Sequence, residues 1–195
     1  MTMPASVTRL TFVLALAIGL AACAAPDKSS FESSGRCAAD GRAPGAYPEL
    51  EARIPETYRE IPPETIDSGR NCSTQSLGSL AESGIAEIRF AGGTWSFGAE
   101  RAVALAVFTA PGLDADQLAD FFAASARSAL RTKVLAESRD TIVGRPARRL
   151  DTKTGERLQT VVVWPAAEPD FVNVVISNDL PDARIREAIA AFGDR

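Results

Sequence analysis

The side chains that could do chemistry in this chain are of few kinds: three cysteines, together with many carboxylates and arginines, and no histidine. Histidine is the only side chain whose ordinary pKa lies between about pH 5 and 8. Its absence excludes serine–histidine–aspartate and cysteine–histidine catalysis and also excludes metal sites with histidine ligands. The sequence has no phosphate-binding loop, dinucleotide fingerprint, nucleophile elbow or calcium loop. We therefore expect no enzyme activity, no cofactor and no bound metal.

The carboxylates are scattered along the chain. The closest pairs that could act as an acid and a base are Asp114 with Asp116 and Asp179 with Asp182. Each pair stands at the start of a segment with helical periodicity. This position favours helix capping over a catalytic role.

Two tryptophans are candidates for ligand contacts. Trp164 ends an apolar strand pattern, so we expect it in the core. Trp95 follows Gly92-Gly93, which indicates a turn, and its neighbours are polar. This context leaves two interpretations of Trp95 open, a core side chain and a contact for a partner.

The strongest local charge lies between Arg127 and Arg149, where seven basic residues stand against two acidic ones, although the whole chain has a net charge of −4. This asymmetry could orient the protein on anionic lipid or on an anionic envelope polymer. The candidate contacts are Arg145, Arg148 and Arg149. The alternative is that they are solvated side chains on a helix end and an edge strand. An acidic chain does not suit nucleic acid, which binds basic surfaces, so no such partner is expected.

The N-terminus has the pattern of a signal peptide. Arg9 precedes an apolar run over residues 11–22, which is shorter than the roughly 20 residues that span a bilayer. The run ends in Leu20-Ala21-Ala22-Cys23, which resembles the lipobox of bacterial lipoproteins. The resemblance implies cleavage before Cys23, diacylglycerol and palmitate on that cysteine, and anchoring at the extracytoplasmic face of the cell membrane. The alternatives are an ordinary secretory signal and a buried N-terminal helix.

Composition divides the chain into a signal peptide at 1–22, a flexible tether at 23–46 and a single domain at 47–195. If Cys23 is acylated, Cys37 and Cys72 remain. An even number of cysteines in an oxidising compartment predicts one disulfide bond, which would attach the tether to the domain. The alternatives are two free thiols and a redox-active pair, although the C-x-x-C spacing is absent.

Hydrophobic periodicity predicts the elements of the domain. Residues 47–78 contain four prolines and read as irregular, with short extended pieces and a short helix from residue 74 to 83. Strand patterns cover 85–90, 101–109, 142–151, 158–164 and 171–177, and helical patterns cover 114–129 and a segment from Pro181. Both faces of 101–109 are apolar, so we expect a central strand covered on both sides. The prediction is an α+β fold, with an antiparallel sheet of about five to six strands and two to three helices in a sandwich-like arrangement.

Four segments look like parts of uncharacterised lipoproteins from actinobacteria and related phyla. They are Asp67–Cys72, Arg89–Trp95, Gly144–Asp151 and Gln159–Trp164. The order of elements from residue 85 to 192 is similar to the PsbP/Mog1-like sandwich. This resemblance implies a binding or assembly role and transfers no active-site residue.

These observations together favour a lipid-anchored extracytoplasmic module that binds or assembles partners without catalysis. Its expected partners are the membrane, through the lipid on Cys23, and an envelope protein or an anionic polymer. A carrier of lipid or small hydrophobic molecules is one alternative, which an empty apolar cavity would favour. An envelope enzyme that works without histidine is another, which two close, buried carboxylates would favour.

Overall fold

The computed structural model describes residues 31–192, and their main element is one antiparallel sheet of eight strands. In chain order the strands are β1 Gly41–Ala43, β2 Thr65–Asn71, β3 Ile88–Ser96, β4 Ala102–Thr109, β5 Thr132–Ile142, β6 Arg145–Thr154, β7 Arg157–Pro165 and β8 Phe171–Asn178. The helices are α1 Pro48–Glu51, α2 Thr74–Leu77, α3 Ser79–Glu82, α4 Ala115–Ser128 and α5 Asp182–Ala191.

The strand order across the sheet is β1-β2-β3-β4-β8-β7-β6-β5. The sheet therefore consists of two four-stranded meanders, β1–β4 and β5–β8, which meet where β4 pairs with β8. Seven of the eight residues of β4 are buried, because both faces of this strand carry apolar side chains. This confirms the prediction of a central strand covered on both sides.

Helices α2, α3 and α4 cover one face of the sheet, which we call the α4 face. Helix α4 begins with a capping box in which Asp114 and Gln117 bond each other's main-chain amides, as the sequence predicts. Its apolar stripe packs against the sheet. The ring centres of Phe108 and Phe122 lie 6.2 Å apart in an edge-to-face contact.

Helix α1, the irregular segment after it and α5 cover the opposite face, which we call the α5 face. Trp164 lies in this layer against Phe192, as expected for a core side chain. Trp95 is also buried, and its indole N–H donates to the carbonyl of Ile61 at 2.8 Å. The structure therefore supports the core interpretation of Trp95. Gly93 lies within strand β3, where it pairs with Leu105, and not in a turn. The Trp95 ring lies over it, and a Cβ at Gly93 would come within 3.0 Å of this ring.

The predicted fold class needs correction. Residues 31–192 form eight strands and five helices, where the sequence predicts five to six strands and two to three helices. Strand β1 is three residues long, and β2 consists mostly of small and polar residues that show no alternation of apolar side chains. The edge strand β5 is exposed along nearly its whole length, so no buried face produces a period of two.

Three predicted boundaries are also wrong. The strand predicted for 85–90 is β3 Ile88–Ser96, which continues through Gly92 and Gly93. In the other two cases a turn interrupts the element. The strand predicted for 142–151 spans the turn between β5 and β6, where Val143 and Gly144 both have positive φ. The helix predicted for 74–83 is divided into α2 and α3 at Gly78, whose φ is 50°. Glycine tolerates this left-handed conformation, which a continuous helix excludes.

Both apolar layers are built from residues within the described range. A chain that starts at residue 24 therefore keeps every contact described in this structure. Within residues 31–192, no helix combines the length and the apolar character needed to cross a membrane.

Candidate functional site

The segment that leads into β1 is fastened to the corner formed by β1 and β2. Its principal contact is Arg70 on β2, which is only 2% exposed. The Arg70 guanidinium donates to the carbonyl of Glu32 at 2.7 Å and to the carbonyl of Gly35 at 2.9 Å. Two longer contacts of 3.5 and 3.4 Å reach the carbonyls of Ser34 and Arg36. One buried arginine therefore binds four main-chain carbonyls between residues 32 and 36.

Two further contacts hold the same segment. The Sγ atoms of Cys37 and Cys72 are 2.00 Å apart, a disulfide distance. Asp40 then accepts hydrogen bonds from the amides of Cys72 and Ser73 at 2.6 and 2.8 Å and from the hydroxyl groups of Ser73 and Ser76. We call residues 31–40, with Arg70, Cys72 and Ser73, the N-terminal clamp.

The pKa of Asp40 lies below its usual value of 3.8. Burial by itself raises this pKa, but the hydrogen bonds from Ser73, Ser76 and Cys72 lower it by more. The carboxylate form is therefore more stable in the native protein than in the unfolded chain, and above about pH 4 it stabilises the fold.

We expect Asp40→Asn to lower the free energy of unfolding by about 1–2 kcal/mol at neutral pH, because the amide cannot accept all four hydrogen bonds. The deficit should shrink as the pH falls below about 4, since the carboxylate of the unfolded chain takes up a proton there, and the native carboxylate, whose pKa is lower, follows at lower pH. Urea unfolding at several pH values measures this. Asp140→Asn is the control, because that exposed carboxylate contacts only the amide of Thr141 among the described residues. A deficit that does not depend on pH would contradict the expectation.

The clamp also changes the extent of the predicted tether. Composition assigns residues 23–46 to it, but residues 31–46 pack on the domain and include β1. Two glycines allow this close packing, since a Cβ at Gly41 would overlap the Phe31 ring and one at Gly69 would overlap the Gly41 carbonyl. Polar and backbone contacts hold residues 31–46 on the domain. Their low hydrophobicity therefore does not indicate a flexible tether. The remaining tether residues, 23–30, lie outside the described residues.

A groove of about 720 Å³ opens at the start of α4, between this helix and the β5–β6 hairpin. We call it the α4 groove. Apolar side chains contribute part of its lining and charged side chains the rest. Its lining residues are Asp114, Ala115, Asp116, Arg139, Asp140, Thr141, Pro146, Ala147, Arg148, Val163 and Pro165.

Ion pairs fix the charged side of the α4 groove. Asp116 is 2.8 Å from Arg148 and 3.1 Å from Arg139, and Arg148 also bonds Asp120 at 3.0 Å. The hydrogen bond from Arg148 is the main cause that lowers the pKa of Asp116. Asp116 therefore stays ionised and orients both arginines before any ligand arrives.

The structure does not bring the three predicted anion-contacting arginines onto one surface. Arg148 lies on the α4 face, whereas Arg145 and Arg149 point to the α5 face. Arg149 bonds Asp151 at 2.9 Å and also pairs with Asp182. Arg145 donates to the Ile189 carbonyl at 2.5 Å, and its guanidinium lies 5.7 Å from the centre of the Trp164 ring.

The predicted carboxylate pairs have structural contacts. Asp114 caps α4, and Asp179 accepts a hydrogen bond from the amide of Leu158 at 2.9 Å. Asp182, in the first turn of α5, forms ion pairs with Arg149 and Arg186. Within residues 31–192, every aspartate and glutamate is at least partly exposed. No group of three or more cysteines or carboxylates in this range could hold a metal ion.

The space between α4 and strands β6 and β7 is nearly filled. It measures about 10 Å³, which is about the room that one water molecule needs. The aromatic and aliphatic side chains of α4 thus pack directly on the sheet.

Comparison with known proteins yields no match, either to a family model or to a curated protein. The resemblances to bacterial lipoproteins and to the PsbP/Mog1-like sandwich therefore stay predictions. Cys23 lies outside the described residues. The roles of the described surfaces have to follow from their own chemistry.

Proposed function

We propose that the protein is a lipid-anchored, extracytoplasmic binding module that holds a segment of an envelope partner in the α4 groove and has no catalytic role. The observation that carries the proposal is an open, preorganised groove beside a helix that packs directly on the sheet. Its volume of about 720 Å³ falls within the range typical of ligand sites.

The chemistry of the α4 groove suits a peptide segment. Pro146 and Pro165 offer exposed apolar contact, and Arg139 and Asp140 offer charge at the rim. Arg139 is 70% exposed although it is paired with Asp116, so a partner carboxylate can reach it. Because Arg148 is held from two sides, a ligand does not have to order this wall of the groove on binding.

Two observations weigh against the alternative functions. A carrier needs an apolar cavity, and the space beneath α4 is about 10 Å³. An envelope enzyme without histidine would need close, buried carboxylates, and none is fully buried among residues 31–192. These findings leave the binding module as the function with the most support.

The anchor and the clamp together limit the position of the domain. Phe31 is the first residue of the clamp and follows Cys23 by eight residues, which span at most about 28 Å when fully extended. A lipid on Cys23 would therefore hold the domain close to the bilayer. The binding groove would work on partners at the membrane surface.

Mass spectrometry of the native protein tests the anchor. We expect a mature chain that begins at Cys23 and carries the mass of two or three acyl groups. A chain with Met1 intact, or with an unmodified Cys23, would contradict the anchoring part of the proposal.

A photo-reactive amino acid tests the groove in intact cells. At Thr141, which lines the groove, we expect a single discrete adduct with an envelope protein. The same probe at the exposed Thr65 should give none, and Arg139→Glu should abolish the Thr141 adduct. Equal adducts at both positions, or an adduct insensitive to Arg139→Glu, would contradict the binding role of the groove.

A further inference from the structure

The end of the β5–β6 hairpin opposite the α4 groove carries a pair of like charges. Lys133 on β5 and Lys153 on β6 stand directly opposite each other, and Leu158 on β7 is opposite Lys153. Like charges directly opposite on neighbouring strands destabilise a sheet. Within residues 31–192 Lys133 has no carboxylate at ion-pair distance, and Lys153 pairs only with Glu156, whose side chain is 96% exposed.

Exposed leucines lie next to these lysines, one across the strands and two along the chain. Leu130 precedes β5 and is fully exposed at 104%, while Leu135 and Leu158 are exposed at 48% and 49%. These are three of the five large hydrophobic side chains that are exposed in the described part of the chain. Leu135 lies at the irregularity in register between Val134 and Ala136. Together with Arg131 they form a surface that we call the lysine–leucine corner, made of Leu130, Arg131, Lys133, Leu135, Lys153 and Leu158.

We propose that the lysine–leucine corner rests on the anionic lipid surface to which the protein is anchored. Aliphatic side chains that insert among lipid head groups gain the free energy of burial, and the neighbouring lysines are attracted to lipid phosphates. Lys133 without a described carboxylate partner, Lys153 with one exposed partner, and leucines that are half to fully exposed fit such a surface better than they fit water. This inference rests on the proposed lipid anchor, which supplies the high local concentration that a weak contact needs.

The geometry of the sheet agrees with this contact. Lys153 and Leu158 lie on the α5 face, since they alternate with the α4-facing Leu150 and Val161 along β6 and β7. Lys133 shares this face because it is directly opposite Lys153. A corner that rests on the bilayer therefore turns the α4 face outward. The α4 groove then remains open to envelope partners.

The reach of the anchor further restricts the orientation. The sheet is seven strand spacings wide, about 34 Å, and the clamp lies at the edge opposite β5. Residues 23–31 reach at most about 28 Å. The corner and the anchored cysteine can both meet one bilayer only if the sheet lies inclined and does not stand upright on β5.

Vesicle binding by an unlipidated chain that starts at residue 24 tests the inference. We expect it to partition onto vesicles of phosphatidylglycerol and phosphatidylcholine and to stay free of vesicles of phosphatidylcholine alone. Lys133→Gln with Lys153→Gln should weaken the partition about 30-fold, at about 1 kcal/mol for each lysine. Leu130→Ser with Leu158→Ser should weaken it while the salt dependence stays unchanged.

Arg42→Gln with Arg89→Gln is the matched control, because both arginines are exposed on β1 and β3, on the side of the sheet away from β5, and the change in net charge is identical. Equal partition of the lysine variant and the control would overturn the proposal. A concentration-dependent dimer that the leucine substitutions dissolve would also overturn it, since the corner would then be an interface between copies. This chain lacks Cys23, so failure here is distinct from failure of acylation, which the mass measurement reports.

Discussion

Replacement of Arg70 by methionine is expected to lower the free energy of unfolding by about 3 kcal/mol. The guanidinium gives two short hydrogen bonds to carbonyls in residues 32–36, and bonds from a charged donor contribute about 1.5–3 kcal/mol each. Part of this is offset because methionine avoids the desolvation of a buried charge. Chemical unfolding measures the difference, and hydrogen exchange should show residues 32–36 losing protection before the rest of the domain.

Arg89→Met is the matched control for this substitution. Arg89 stands directly opposite Arg70 on β3, but its side chain is exposed and pairs with Glu87 at 2.8 Å. Exposed ion pairs contribute at most about 1 kcal/mol. If the two variants lose the same stability, the buried contacts of Arg70 do not hold residues 32–36 on the domain.

Removal of the Cys37–Cys72 disulfide has the largest expected effect on stability, about 4 kcal/mol. The two cysteines are 35 residues apart in the chain. A cross-link of this span restricts the unfolded chain, and on the chain-entropy model it stabilises the native state by about that amount. Cys37→Ser with Cys72→Ser, measured by thermal unfolding, should therefore give a clearly lower midpoint.

The native protein in the presence of a reducing agent should reproduce the double variant, whose own midpoint should not respond to the reagent. A native protein that is indifferent to reduction would contradict the bond. The same experiment bears on the clamp, because Arg70 and the disulfide hold the same segment. Combining Arg70→Met with the cysteine variant should cost less than the sum of the separate losses, since neighbouring contacts are not additive.

The apolar elements of this fold could be predicted from the sequence, and the polar ones could not. Strands β4, β7 and β8 have runs of β-branched and apolar residues, and α4 has a capping residue and a clear apolar stripe. Burial on the sheet is what makes these patterns regular. Strand β5 is an exposed edge and β2 contains small polar residues, so main-chain pairing with neighbours determines them and leaves little trace in hydrophobicity.

The candidate sites divide in the same way. The pairing of Cys37 with Cys72 follows from cysteine number, and the structure places these two side chains together. Arg145, Arg148 and Arg149 look like one basic cluster in sequence, but alternation along β6 sends them to two faces, where carboxylates or main chain already bind them. The lysine–leucine corner joins residues from β5, β6 and β7, and only strand register shows that they are neighbours.

The division of the sheet into two meanders has a consequence for how the chain folds. Within the second meander, successive strands are joined directly as hairpins, which can close over short distances in sequence and therefore quickly. The β4–β8 pairing instead joins Leu105 to Val175, and closing so long a loop carries an entropic penalty that nearby contacts must first offset. The hairpins are thus expected to assemble early, while docking of the halves along β4 and β8 limits the folding rate.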